Sequence, residues 1–192
     1  MVHPPAEMAC GVFDPDSGTT LEYRQLRRNP KFKDIWEASY SNKLGCLRQG
    51  IGKCPNGPKQ QQVAGTYTYR LIRLSDIPHD QRKEICFSRV VCEIRPQKED
   101  KNCTRITIAG NRIVFPVEVA TPTASLKLEK LIVNSALSRP GGKCCSFDVK
   151  NFYLGTPMYR PGYVKIKLTN IPQEFINEYN LLEFEHQGWV FF

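Results

Sequence analysis

The sequence predicts an α+β fold in which helices pack against a mixed or antiparallel sheet. Strand-like runs, alternating or rich in β-branched residues, occupy 65–72, 85–94 and 104–108. Two other stretches, 29–47 and 121–137, carry apolar side chains at helical spacing. No apolar run approaches the roughly 18 residues that a membrane-spanning helix needs. We therefore expect helices packed on a sheet, and no membrane partner.

The first clear helix is predicted over 29–47. Asn29 is suited to cap it, and Pro30 takes the favoured first position. Core packing is the simplest role for its apolar face, whose members recur at spacings of three and four: Trp36, Tyr40, Leu44 and Leu47. Before it, 14–18 has turn chemistry and 22–28 is a candidate short helix. The Gly- and Pro-rich stretch 50–65 is the best linker candidate.

The strands 85–94 and 104–108 are predicted to form a hairpin with a basic loop. Alternation places Arg105 on the face opposite the isoleucines of its strand. A planar guanidinium and a compact ammonium both suit phosphate oxygens, so the hairpin could clamp a triphosphate. A solvated turn is the alternative. The basic residues of the loop are Arg95, Lys98 and Lys101.

A single carboxylate, Asp148, lies in the apolar run 144–149, which follows the second helix and a Gly-rich turn. A carboxylate in such a run is costly unless a cation or a metal meets it, and Mg²⁺ prefers carboxylate oxygens. A turn or capping role for Asp148 is the alternative. Further along, 163–168 and 188–192 are predicted strands, and 172–179 is a predicted short helix.

Charge and cysteine content narrow the function classes. The net charge of +8 favours a polyanionic partner, with an inert basic surface as the alternative. The eight cysteines form no C-x-x-C pair and no zinc-finger spacing with histidine, so most are expected to be small buried apolar residues. The first residues lack an apolar signal core, so we expect an intracellular and not a secreted protein.

Several segments, in this order, resemble the reverse transcriptases of copia-type LTR retrotransposons. Asp148-Val-Lys-Asn-Phe-Tyr-Leu154 resembles the first catalytic motif, in which Asp-(Val/Ile)-Lys is followed by two variable positions, an aromatic residue and Leu. The stretch Ile94-Arg-Pro-Gln-Lys-Glu-Asp, continued by Thr104-Arg-Ile-Thr, is similar to the fingers hairpin of that family. Asn29-Pro-Lys with Trp36 resembles its entry helix. The resemblance covers 21–192.

The resemblance implies the fingers and partial palm of a right-hand polymerase. On this interpretation 1–64 is a lead-in with the entry helix and a linker, 65–120 is the fingers hairpin region, and 121–192 is an incomplete palm. The implied activity is RNA-directed DNA synthesis. The implied partners are an RNA template, a DNA primer, deoxynucleoside triphosphates (dNTPs) and the remainder of a polymerase polyprotein. The implied compartment is the cytoplasm, within a virus-like particle, or the nucleus.

The resemblance also implies roles for individual residues. Asp148 would be the first catalytic, metal-binding aspartate of a two-Mg²⁺ site, and the Val149 carbonyl would lie beside the same site. Tyr153 would lie beneath the sugar of the incoming nucleotide. Arg105 would contact the nucleotide phosphates, with Lys98 as a second candidate.

The sequence contains no Asp-Asp pair, although the family carries one later in the palm. We therefore expect an amino-terminal fragment that is inactive alone. One alternative is a noncatalytic basic nucleic-acid-binding or interaction module from a degenerate element copy. Another is a structural protein that binds metal through its cysteines, which their spacing argues against.

Overall fold

The protein is described here by a computed structural model that covers 11–52, 63–97, 100–114, 125–145, 154, 158 and 160–192. The chain divides into two compact units, one formed by 1–113 with 157–192 and the other by 114–156. The architecture is mixed α+β, as the sequence predicts.

The first unit contains all the strands of the described chain: β1 (Val12–Asp14), β2 (Thr19–Leu21), β3 (Gly50–Ile51), β4 (Val63–Ala64), β5 (Cys86–Ile94), β6 (Asn102–Ile108), β7 (Val164–Lys167) and β8 (Trp189–Phe191). Its α-helices are α1 (Tyr23–Arg28), α2 (Lys33–Leu47) and α4 (Gln173–Glu178), whereas α3 (Leu126–Leu137) belongs to the second unit. The strands predicted around 85–94, 104–108, 163–168 and 188–192 are confirmed, as are the short helices around 22–28 and 172–179.

The main sheet has four strands in the order β6-β5-β7-β8. β5 and β6 form the predicted antiparallel hairpin, in register from Ser88 opposite Ile108 to Ile94 opposite Asn102. β5 pairs in parallel with β7, and β7 pairs antiparallel with β8, so the sheet is mixed. Two small antiparallel hairpins, β1-β2 and β3-β4, complete the strand pairing of the described residues.

One face of the main sheet packs on α2. Alternation turns Cys92 of β5, Ile166 of β7 and Val190 of β8 to this side, where all three are buried with the apolar face of α2. The predicted apolar face of that helix is confirmed, because Trp36 and Tyr40 are at most 1% exposed. Burial on this scale supplies the main hydrophobic stabilisation of the unit.

Hydrogen bonds also fix the hairpin on α2. The Ser39 hydroxyl donates to the Asn102 carbonyl at 2.7 Å, and its oxygen lies 2.8 Å from the Thr104 hydroxyl. Both partners belong to β6. The hairpin is therefore held by polar contacts as well as by packing, which sets the direction in which its opposite face points.

The predicted start of the first long helix is wrong by several residues. α2 begins at Lys33, because Asn29 forms a turn instead of a helix cap. The Asn29 side-chain oxygen accepts a hydrogen bond from the Lys31 backbone N–H at 3.0 Å. Asparagine readily makes this local bond two residues along the chain, and it competes with helix initiation.

The strand predicted at 65–72 is also wrong. Backbone N–H groups of this segment bond the last carbonyls of α2: Thr66 to Cys46 at 2.7 Å and Thr68 to Leu47 at 2.8 Å. Tyr67 between them has a φ of 57°, which breaks the extended conformation. The segment thus donates hydrogen bonds to carbonyls at the C-terminus of the helix, which have no partner within the helix.

The second unit is described over 125–145. Ser125 caps α3, accepting a hydrogen bond from the Leu128 backbone N–H at 3.3 Å. The helix predicted over 121–137 is confirmed from Leu126 onward, and 121–124 lie outside the described residues. The predicted strand at 144–149 is described only at its first two residues.

The six described cysteines differ in burial: Cys86 and Cys92 are buried, Cys46 and Cys103 are half-buried, and Cys144 and Cys145 are exposed. The prediction that most cysteines are buried is therefore met by only two of these six. Burial raises the pKa of the Cys92 thiol to about 12, so this thiol stays protonated and inert at neutral pH.

Candidate nucleic-acid interface

Only one of the predicted site residues lies in the described part of the chain. Arg105 is on β6 with an exposed side chain. Asp148, Val149, Tyr153 and Lys98 lie outside the described residues. Their catalytic, metal-binding and nucleotide-binding roles stay predictions.

The face of the main sheet that points away from α2 collects cations and aromatic rings. Side chains alternate along a strand, so residues of the opposite parity to the buried Cys92, Ile166 and Val190 share this side. The strand register places Phe87 opposite Lys165, and Lys167 opposite Trp189. We call this set the outer face: Phe87, Arg89, Arg105, Lys165, Lys167 and Trp189.

An aromatic pair lies at the centre of the outer face. The Phe87 and Trp189 rings meet edge to face, with centroids 5.6 Å apart. The Lys165 Nζ lies 4.5 Å from the Phe87 centroid and 4.9 Å from the Trp189 centroid. Lys167 lies 5.3 Å from the Trp189 centroid, and the Arg112 guanidinium lies 5.0 Å from that of Phe87. The two rings are therefore surrounded by positive charge.

Carboxylates neutralise only part of this charge. Arg89 pairs with Glu22 at 2.7 Å, and Arg105 pairs with Glu93. No described carboxylate forms a salt bridge with Lys165, Lys167 or Arg112, which are held by the aromatic rings instead. The outer face consequently keeps a net positive charge that suits a polyanion.

Glu93 holds Arg105 in a forked arrangement. The Arg105 Nε donates to Oε1 at 2.8 Å and its Nη2 donates to Oε2 at 3.0 Å, which is the geometry an arginine also offers to phosphate. Glu93 also pairs with Arg95, near the end of the same strand. Glu93 was not predicted from the sequence as a site residue. Alternation places Glu93 and Arg95 on one side of their strand, and Glu93 lies opposite Cys103, diagonal to Arg105.

The arrangement is suited to binding a flexible single strand. A base that stacks on an aromatic ring gains about 1–3 kcal/mol. An exposed cation–π contact contributes about 0.5–1 kcal/mol, so a base can displace a lysine from the partly exposed Phe87 ring. The displaced ammonium would then be free to meet backbone phosphates, where it would replace condensed counterions.

Within the described ranges, no three histidine, cysteine, aspartate or glutamate side chains come together to hold a metal ion. None of the helices described here is long and apolar enough to cross a membrane.

Comparison with protein-family models, curated proteins and solved structures finds no match for this chain.

Proposed function

We propose that this chain is the amino-terminal part of a copia-type reverse transcriptase, comprising its fingers and first palm segment. The observation that carries the proposal is the position of Arg105. The residue that the family resemblance assigns to nucleotide phosphates lies on the same sheet face as Phe87, Trp189 and Lys165. The order of the resembling motifs along 21–192 supports the same conclusion.

In the proposed mechanism the outer face binds the template strand, and Arg105 orients the triphosphate of the incoming nucleotide. Asp148 would hold metal, with the Val149 carbonyl beside it. Tyr153 would lie under the deoxyribose, and Lys98 would assist at the phosphates. Two bound Mg²⁺ ions would supply activation of the primer hydroxyl and stabilisation of the leaving pyrophosphate. The remainder of the polyprotein would complete the site, inside a virus-like particle or in the nucleus.

Primer extension tests the catalytic part of the proposal. A longer chain that continues through a complete palm should extend a DNA primer on an RNA template with Mg²⁺. Asp148→Asn in that chain should abolish incorporation while the circular-dichroism spectrum stays unchanged. Tyr153→Ala should raise the incorporation of ribonucleotides relative to deoxyribonucleotides, because the steric block to the 2′-hydroxyl is removed. An Asp148→Asn variant that polymerises at the parent rate would overturn the assignment.

A noncatalytic nucleic-acid-binding module is the second candidate. The outer face favours it, since the cluster of Phe87, Trp189 and Lys165 would bind a strand without any contribution from Asp148. Residues 1–192 alone should then bind single-stranded nucleic acid and show no extension. The longer chain distinguishes the two candidates, because it should extend a primer only if residues 1–192 are part of a polymerase.

A further inference from the structure

A polar cleft lies on the first unit, between the two N-terminal helices and the segment that follows β7. Its volume is about 470 Å³, within the range of small-molecule sites. Its lining includes Arg24, Arg27, Arg28, Lys33, Glu37 and Lys167. Of these, Lys167 alone also belongs to the outer face, so the cleft is a separate feature.

The lining is strongly cationic. Glu37 is the one carboxylate of the lining, and it is already paired with Arg27. No described carboxylate forms a salt bridge with Arg24, Arg28 or Lys33. The cleft therefore concentrates positive charge that the described residues do not neutralise.

Arg27 is fixed at the base of the cleft. Its guanidinium donates to the Glu37 carboxylate and to the Thr169 carbonyl, and a further bond reaches the Ile171 carbonyl at 3.2 Å. Thr169 is 142 positions away in the chain. These bonds hold α1 against both α2 and the segment after β7, so the charged wall is built before any ligand arrives.

Tyr23 also lines the cleft, but it packs into the core. It is 3% exposed, and its hydroxyl is buried without a hydrogen-bond partner among the described residues. Its ring meets that of Tyr40 edge to face, with centroids 5.0 Å apart. The cations of the lining are therefore the charged groups that a ligand in the cleft would meet.

We propose that this cleft binds a phosphate-rich anion. Separate cations on α1 and α2 suit a ligand that carries several phosphate groups better than one with a single carboxylate. In this assignment Arg24, Arg28 and Lys33 contact the phosphates. The same chemistry is offered by a free polyphosphate chain and by the backbone of a nucleic acid. The site goes beyond the proposed polymerase function, which does not use it.

Titration of the whole chain with inorganic tripolyphosphate, followed by calorimetry, tests the site. Arg28→Glu and Lys33→Glu should each weaken binding by at least about tenfold, since each removes a charged contact and adds a like charge. Lys83→Glu is the matched control, because Lys83 is an exposed lysine of the same unit outside the cleft. Losses no larger than that of the control would overturn the proposal.

Two further arms identify the source of the phosphates and separate this site from the outer face. If a single-stranded oligonucleotide displaces tripolyphosphate, the ligand of the cleft is a nucleic-acid backbone. If tripolyphosphate stays bound, the ligand is a free polyphosphate. Phe87→Ala should leave tripolyphosphate affinity unchanged even where it weakens oligonucleotide binding. Parallel loss of both would overturn the existence of a distinct site.

Discussion

Replacing Lys165 and replacing Phe87 should affect nucleic-acid binding in different ways. Lys165 supplies charge to the outer face, whereas Phe87 supplies a ring that is 38% exposed. A phosphate contact releases counterions, so its loss changes the salt dependence of binding. A stacked base releases none, so loss of the ring lowers the affinity at every salt concentration.

The expected magnitudes follow from the pairing of the cations. Three cations have no described carboxylate partner: Lys165, Lys167 and Arg112. We therefore expect them to neutralise about three phosphates, which for a single strand gives a slope of log K against log salt of about −2. Between about 50 and 200 mM salt the affinity should fall roughly twentyfold. Lys165→Gln should flatten the slope by about 0.7. Phe87→Ala should keep the parent slope and lose about 1–3 kcal/mol of binding free energy.

Fluorescence anisotropy of a labelled single-stranded oligonucleotide, titrated at several salt concentrations, measures both quantities. Lys83→Gln is the control, because this exposed lysine is not part of the outer face. The reasoning is refuted if Lys165→Gln keeps the parent slope, or if Lys83→Gln flattens the slope as much as Lys165→Gln does.

Three other predictions concern charge, packing and pH. Glu93→Gln releases both Arg105 and Arg95, so the salt slope should steepen by about 0.7 for each of the two that reaches the strand; an unchanged slope would show that neither does. Phe175 is fully buried in the main core, so Phe175→Ala should lower the free energy of unfolding by about 3–5 kcal/mol in urea titrations, and a loss below about 1 kcal/mol would contradict that packing. Burial raises the pKa of the Cys92 thiol from 9.0 to about 12, so the unfolded chain ionises first and the free energy of unfolding should fall as pH rises through that interval. Urea unfolding at about pH 8 and pH 10 measures this fall in the free energy of unfolding. The fall should be smaller in Cys92→Ala, and equal free energies at the two pH values in the parent would contradict the prediction.

Patterns that depend on neighbouring residues were predictable from the sequence. The apolar face of α2 was predicted because Trp36, Tyr40 and Leu44 recur at helical spacing, and all three are buried. The hairpin of β5 and β6 followed from β-branched runs around a polar loop. Helical and strand periodicity reflect one face of one element, so a single stretch of sequence contains the whole signal.

Contacts between distant segments required the tertiary structure. Alternation in 65–72 predicted a strand, but the C-terminal carbonyls of α2 take the N–H groups of Thr66 and Thr68. The forked pair between Glu93 and Arg105 depends on strand register, which periodicity alone does not fix at an exposed face.

The candidate sites divide in the same way. Charge, spacing and the family resemblance predicted Arg105 as a site residue from the sequence alone. The aromatic pair of Phe87 and Trp189 joins residues from two strands that meet only through β7. The cationic cleft likewise joins Arg27 to Thr169 across most of the chain. Local periodicity indicated most of the longer helices and strands. Burial of the core against α2 decided which distant side chains meet, because packing free energy depends on contacts that no short stretch of sequence contains.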